Sequence, residues 1–153
     1  MDSTVKPVGL LARLSSDDLS VFVDIARSVS FQHGDEVLRQ AERNESIFFV
    51  VKGLLHVLRH VGSRDVLLGR LEAGSTFGEV SLFDPGPTTA SVRAVTDGVL
   101  LELSRQRFED FLARCPSGGA ALMLGLLEEM ATRLRDADQR LADSIVWGAM
   151  LKT

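Results

Sequence analysis

From Phe31 to Leu103 short apolar runs alternate with turn signals, and this punctuation constrains the fold more than any other feature of the chain. Ile47-Phe48-Phe49-Val50-Val51 reads as a buried strand, and Lys52-Gly53 turns it into Leu54 to Val61, where Leu55, Val57 and Arg59 alternate on one face. Gly62-Ser63 is a tight turn before Val66 to Leu71. Thr96-Asp97-Gly98 carries a hairpin signal, because Asp-Gly tolerates the positive φ of such turns, and Val99, Leu101 and Leu103 then alternate. Many short strands with regular turns predict a closed barrel or a double-sheet roll.

Helices flank this stretch. Ser15 caps a helix with Asp18 three residues on, and Leu19, Phe22, Val23 and Ala26 follow at helical spacing to an end near Ser30. A second helix, Ser104 to Ala113, is capped by Ser104 and stopped by Cys115-Pro116. From about Gly118 one long helix carries Met123, Leu127, Met130, Leu134, Ala137 and Leu141 in a heptad seam. Beyond it, Ile145 to Leu151 is apolar nearly all round, which calls for a second copy or another protein against it. The predicted fold is therefore mainly β with flanking helices. Residues 1–30 form an N-terminal helical segment, 31–103 a β jelly roll of the eight-stranded type, and 104–153 the C-terminal helices. Those include a dimerisation helix over 118–151, with Ile145 extending its seam.

Composition narrows the function. The 153 residues include 45% hydrophobic and 25% charged residues, enough for a packed core, and the net charge of −4 gives no hint of a nucleic-acid face. One cysteine excludes a disulfide scaffold or an iron–sulfur cluster, and fits a reducing cytoplasm. No secretory leader or apolar run of membrane-span length is read in the sequence. His33, His56 and His60 lack the spacing of a metal-binding roll, and no nucleophile motif or Walker loop supports an enzyme. No metal, no nucleic acid and no membrane are therefore expected as partners.

The chemistry lies between Phe77 and Ala94. Gly78 would let a ligand approach the backbone, and the helical turn after it offers free N–H groups to an anion. Glu79 is placed to accept from a hydroxyl pair, and Thr88 and Thr89 bring hydroxyl donors. An anion flanked by a sugar hydroxyl fits that set.

Phe77-Gly78-Glu79-Val80-Ser81-Leu82 and Thr89-Ala90-Ser91-Val92-Arg93-Ala94 together resemble the phosphate-binding cassette of cyclic-nucleotide-binding domains, here over residues 77–94. Phe31 with Gly34-Asp35, Phe49-Val50-Val51 before Gly53, and Leu71 with Gly74 extend the likeness, as do the leading and trailing helices. The resemblance implies a catabolite-activator-like sensor, cytoplasmic and of bacterial type; with no helix-turn-helix after the long helix, the chain reads either as a stand-alone sensor without a DNA-binding domain or as a fragment of a longer protein. It implies that Glu79 takes the ribose 2′-hydroxyl, that backbone groups around Gly78, Val80 and Ser81 line the pocket, and that Thr89, beside Ala90, donates to the cyclic phosphate.

Two departures from the family pattern matter. The phosphate-pairing arginine is replaced by Thr88, which exchanges a charge-assisted bond of ~1.5–3 kcal/mol for a neutral one of ~0.5–1.5 and weakens binding on the order of tenfold. Arg93 belongs to the cassette tail and does not substitute. On the long helix, Ala137 and Asp138 stand where hydroxyl side chains reach the base; Asp138 could accept from adenine or guanine, so cAMP and cGMP both stay open as ligand. Two readings follow. One is a nucleotide sensor that signals through its C-terminal helix to a downstream protein; the other is a dimeric adaptor whose pocket is empty. DNA-binding regulation would need a further domain.

Overall fold

A computed structural model describes residues 5–152; the outer ends of the expected segments, 1–4 and 153, lie outside the described residues. Helix α1 (Ser16–Ile25) starts where the sequence places it, with Ser15 Oγ accepting from the Asp18 N–H at 3.1 Å. It ends at Ile25 and not near Ser30. Ala26 is already extended at ψ 151°, and strand β1 (Arg27–Phe31) follows, paired along its length with β10 (Gly98–Ser104). Past Ala26 the apolar residues Val29 and Phe31 fall two apart, the period of a strand and not of a helix.

The remaining strands are β2 (Glu36–Leu38), β3 (Arg43–Asn44), β4 (Ser46–Lys52), β5 (Leu55–Val61), β6 (Arg64–Leu71), β7 (Thr76–Phe77), β8 (Gly86–Pro87) and β9 (Ser91–Ala94). Two four-stranded antiparallel sheets, β1-β10-β4-β7 and β2-β9-β5-β6, make the expected jelly roll, and β3 pairs with β8 beside them. Their facing sides bury Phe31, Phe48, Val50, Leu55, Val92 and Leu100 among others. Strand β4 is apolar from Ile47 to Val51 because both of its faces are covered there. Phe48 and Val50 belong to the roll interior, while Phe49 meets Phe22 of α1 edge-on at 5.1 Å between ring centroids.

The Asp97-Gly98 turn is not a hairpin. Strand β9 pairs with β2 and β5, whereas β10 pairs with β1 and β4, so the turn carries the chain from one sheet to the other. Its polar groups are taken up locally: Asp97 Oδ1 accepts from the His33 N–H at 2.9 Å and Thr96 Oγ1 from the Leu54 N–H at 3.0 Å. Gly98 is not among the glycines at positive φ. It is required because a Cβ there would lie 2.1 Å from the Lys52 carbonyl oxygen and 2.4 Å from the Phe31 ring.

Helix α3 (Arg105–Arg114) is capped by Ser104, whose Oγ accepts from the Arg107 N–H at 3.3 Å. Helix α4 (Pro116–Met150) begins directly after Cys115, two residues before the expected Gly118, with proline in the first turn, where its missing N–H has no partner to lose. The chain divides into two compact units that meet at Leu122/Met123, and α4 contributes to both.

Cys115 is buried against the Asp18 side chain. Burial, then the hydrogen bond to Asp18 and its charge, push the thiol pKa up. The neutral thiol therefore stabilises the fold at neutral pH, and this contribution is lost as pH rises through the raised folded value. A thiol reagent near pH 8 should modify the native protein far more slowly than the unfolded chain; equal rates would show an open thiol.

Candidate functional site

Strand β7 delivers the cassette. Phe77 pairs with Phe48 on β4, and their rings stack at 4.8 Å. The next residue, Gly78, adopts a left-handed conformation at φ 82° and opens the short helix α2 (Glu79–Phe83). A Cβ at Gly78 would lie 2.6 Å from the Ser46 carbonyl oxygen and 3.0 Å from Asn44 Nδ2. The sequence reading keeps that space for a ligand; in the fold it is filled by protein, and both the φ and the close packing demand glycine.

Helix α2 sorts the expected residues by face. Glu79 and Ser81 are buried, at 6% and 8% exposure, whereas Val80 is 59% exposed. Glu79 is engaged within the fold. A carboxylate this deep is stable only where hydrogen-bond or ionic partners hold it.

The other end of the cassette is tied to the turn between β2 and β3. Strand β8 places Gly86 opposite Asn44 and Pro87 opposite Arg43. Thr88 then donates its N–H to the Glu42 carbonyl at 2.9 Å and its hydroxyl to the Arg39 carbonyl at 2.5 Å, and accepts from the Ala41 N–H at 2.8 Å. The turn it grips closes through the Glu42 N–H on the Arg39 carbonyl at 3.2 Å, and holds Ala41 at φ 69°. That conformation is strained for a residue with a Cβ. The Thr88 hydroxyl proton is thus already used by the fold. In this fold Thr88 struts the cassette against the turn at residues 39–42.

A cavity of about 300 Å³ opens beside Thr88, lined among others by Glu36, Leu38, Arg39, Arg43 and Asn44. Of the expected ligand residues Thr88 alone lines it; Gly78, Glu79, Val80, Ser81, Thr89 and Ala90 do not. Asn44 joins the two ends of the cassette, since it abuts Gly78 and also lines this cavity. It is buried and clamps Ser46, donating to its carbonyl at 2.7 Å and accepting from its N–H at 3.1 Å. Sequence reasoning missed Asn44 and the turn at residues 39–42. The available signal was Asn44 two residues before Ser46, the spacing of a side-chain-closed turn.

Thr89 is exposed and Ala90 half-buried. Arg93 is committed to Glu36 at 3.0 Å and lies 3.8 Å from Asp65, consistent with its exclusion as a phosphate ligand. Asp65 in turn meets His60 at 3.0 Å. Among the described residues no three metal-ligating side chains converge, and no helix is long and apolar enough to cross a membrane.

In the second unit Asp138 is exposed on α4. So is most of the seam: Leu127, Leu134, Leu141 and Ile145 stand 59–64% exposed, and Ala137 is exposed, with Met123 and Met130 half-buried. Leu122 and Leu126, each one residue before a seam position, are the buried leucines of this helix.

Comparison with known proteins agrees with this architecture. The profile of the cyclic nucleotide-binding domain matches residues 28–115. A CRP-like cAMP-activated global transcriptional regulator of Mycobacterium tuberculosis is 26% identical over 95% of this chain and 63% of its own length. The human potassium/sodium hyperpolarization-activated cyclic nucleotide-gated channel 3 is 43% identical over 56% of this chain and 11% of its own. Among solved structures, the Thermus thermophilus catabolite activator protein superposes with a TM-score of 0.77 at 28% identity, over 86% of this chain and 61% of that one. The chain thus spans less than two thirds of the length of these relatives, which are named as a regulator, a channel and an activator and not as enzymes. With the profile covering the roll, the cassette and the helix that follows, the chain belongs to the cyclic nucleotide-binding domain family.

Proposed function

We propose that this chain is a regulatory sensor that binds a cyclic nucleotide in its cassette and reports occupancy through α4 to a homodimer partner and a downstream protein in the cytoplasm. Glu79 accepts from the ribose hydroxyl, the backbone from Gly78 to Ser81 with Thr89 and Ala90 receives the cyclic phosphate, and Asp138 contacts the base of cAMP or cGMP. The observation that carries this reading is the pairing of a left-handed Gly78 with a buried Glu79 at the mouth of α2. A carboxylate held in place by the fold beside a left-handed glycine is preoriented to accept from a ligand hydroxyl. Such signalling needs different ligand affinities in two positions of α4.

A second reading is favoured by Thr88. With its hydroxyl donated to Arg39 and threonine in the place of the family's phosphate-pairing arginine, the phosphate side lacks its usual cation. The chain would then be an adaptor with a nucleotide-free pocket.

Thermal unfolding with and without millimolar cAMP or cGMP separates the two. A ligand that binds only the folded state at a hundred times its Kd stabilises by ~2.7 kcal/mol, a shift of several degrees in a domain of this size. The sensor predicts such a shift with one nucleotide, and its loss in Glu79→Ala. No shift with either nucleotide favours the adaptor; a shift that survives Glu79→Ala removes that residue from the site.

A further inference from the structure

An edge strand can go on pairing, and most proteins keep such strands short. At the edges of the two larger sheets β1 has five residues, β2 three and β7 two, whereas β6 has eight. Strand β6 pairs with β5 on one side, and among the described residues no other backbone group bonds to it. It holds no proline or lysine to discourage pairing, and Val66, Leu67 and Leu68 stand 44–51% exposed along it.

An irregularity sorts its side chains. Val57 on β5 pairs with Gly69 and Leu58 with Leu67, so Leu68 is an extra residue. His56 and His60, four apart, share one face of β5, and their partners Arg70 and Asp65 share it too. Arg70 has no ion pair among the described residues. Asp65 places Oδ1 3.0 Å from His60 and Oδ2 3.8 Å from Arg93, and its carboxylate keeps further lone pairs to accept with.

This strand is complementary to itself. Two copies of β6 laid antiparallel over their full length set Asp65 opposite Arg70 of the second copy, twice by symmetry, with Leu67 opposite Leu68 between them. Val66 then stands opposite Gly69 and Arg64 opposite Leu71, so no like charges meet. A parallel alignment in register would set Asp65 against Asp65 and Arg70 against Arg70. A slip of one residue would turn the side chains to the wrong face.

From this pattern we infer that the open edge of β6 binds the same edge of a second copy of this chain in antiparallel register, continuing the sheet from one copy into the other. The contact uses neither the cassette nor α4, so it stands apart from the sensor reading. One strand pair buries well under the ~1,200 Å² of a stable interface, so this association is weak and needs concentrations well above those of pairing through α4.

Sedimentation equilibrium on the full chain up to millimolar concentration tests it. The average mass should rise toward twice its micromolar value. Leu67→Lys should suppress that rise. Arg70→Asp and Asp65→Arg should each weaken association on the order of tenfold, two exposed pairs being lost and two repulsions gained. An equimolar mixture of those two chains should recover it, because one then carries two acids along the edge and the other two arginines. A mixture of Leu67→Cys and Leu68→Cys chains should form the mixed disulfide in preference to either homodimer under mild oxidation. All four positions are exposed, so melting temperatures should stay at the wild-type value. A mass that stays flat to millimolar, a rise indifferent to Leu67→Lys and Arg70→Asp, reversals that the mixture does not rescue, or cysteines that show no preference would each overturn the inference.

Discussion

Phe22→Ala should lower the unfolding free energy by about 3–5 kcal/mol, read as a fall of roughly 10 °C in melting temperature. Phe22 is fully buried and is the only ring that touches two others edge-on among the described residues, with Phe49 at 5.1 Å and Phe111 at 5.2 Å. These contacts bind α1, β4 and α3, so one truncation opens a cavity among three elements and removes two aromatic pairings worth ~0.5–1.5 kcal/mol each. Because α1 precedes the roll and α3 follows it, the loss should appear as one transition and not as fraying of the N-terminus. A midpoint unchanged within a degree would mean that α1 is not integral to the folded unit.

Leu134→Asp or Leu141→Asp should abolish self-association while leaving the melting of the first unit alone. Each leucine is more than 60% exposed in the single chain, so the substitution disturbs no packing there. In a dimer the same position is desolvated, and two carboxylates then face each other across the seam. A loss of at least a hundredfold in Kd, ~2.7 kcal/mol, is expected by sedimentation equilibrium. A dimer that survives either change would move the interface off this seam.

The fold was legible where one physical signal acted alone. Ser15 and Ser104 cap their helices as read, because a cap is a local hydrogen bond. The buried run at Ile47–Val51 was legible too, since a strand covered on both faces has no reason to alternate. Local signals failed where a distant partner decided. The helix reads on to Ser30 because nothing nearby announces β10, whose pairing draws Arg27–Phe31 into a sheet. Asp97-Gly98 reads as a hairpin from its two residues, yet the choice of sheet on either side is made by β5 and β4. The site shows the same division. Gly78 and Glu79 stand side by side in one ordered motif, so the candidate is readable locally. The grip of Thr88 on residues 39–42 spans almost fifty positions and leaves no pattern in either segment.

That grip changes how position 88 can vary. Introducing arginine there would add the cation the cassette lacks and, in the same step, remove the hydroxyl bond that steadies a turn already strained at Ala41. The benefit to an anion and the harm to the loop arrive together. Glycine in place of Ala41 should relieve that strain, since it adopts positive φ without cost to a Cβ. Position 88 therefore couples charge in the cassette to the steadiness of residues 39–42, and neither can be altered there without the other.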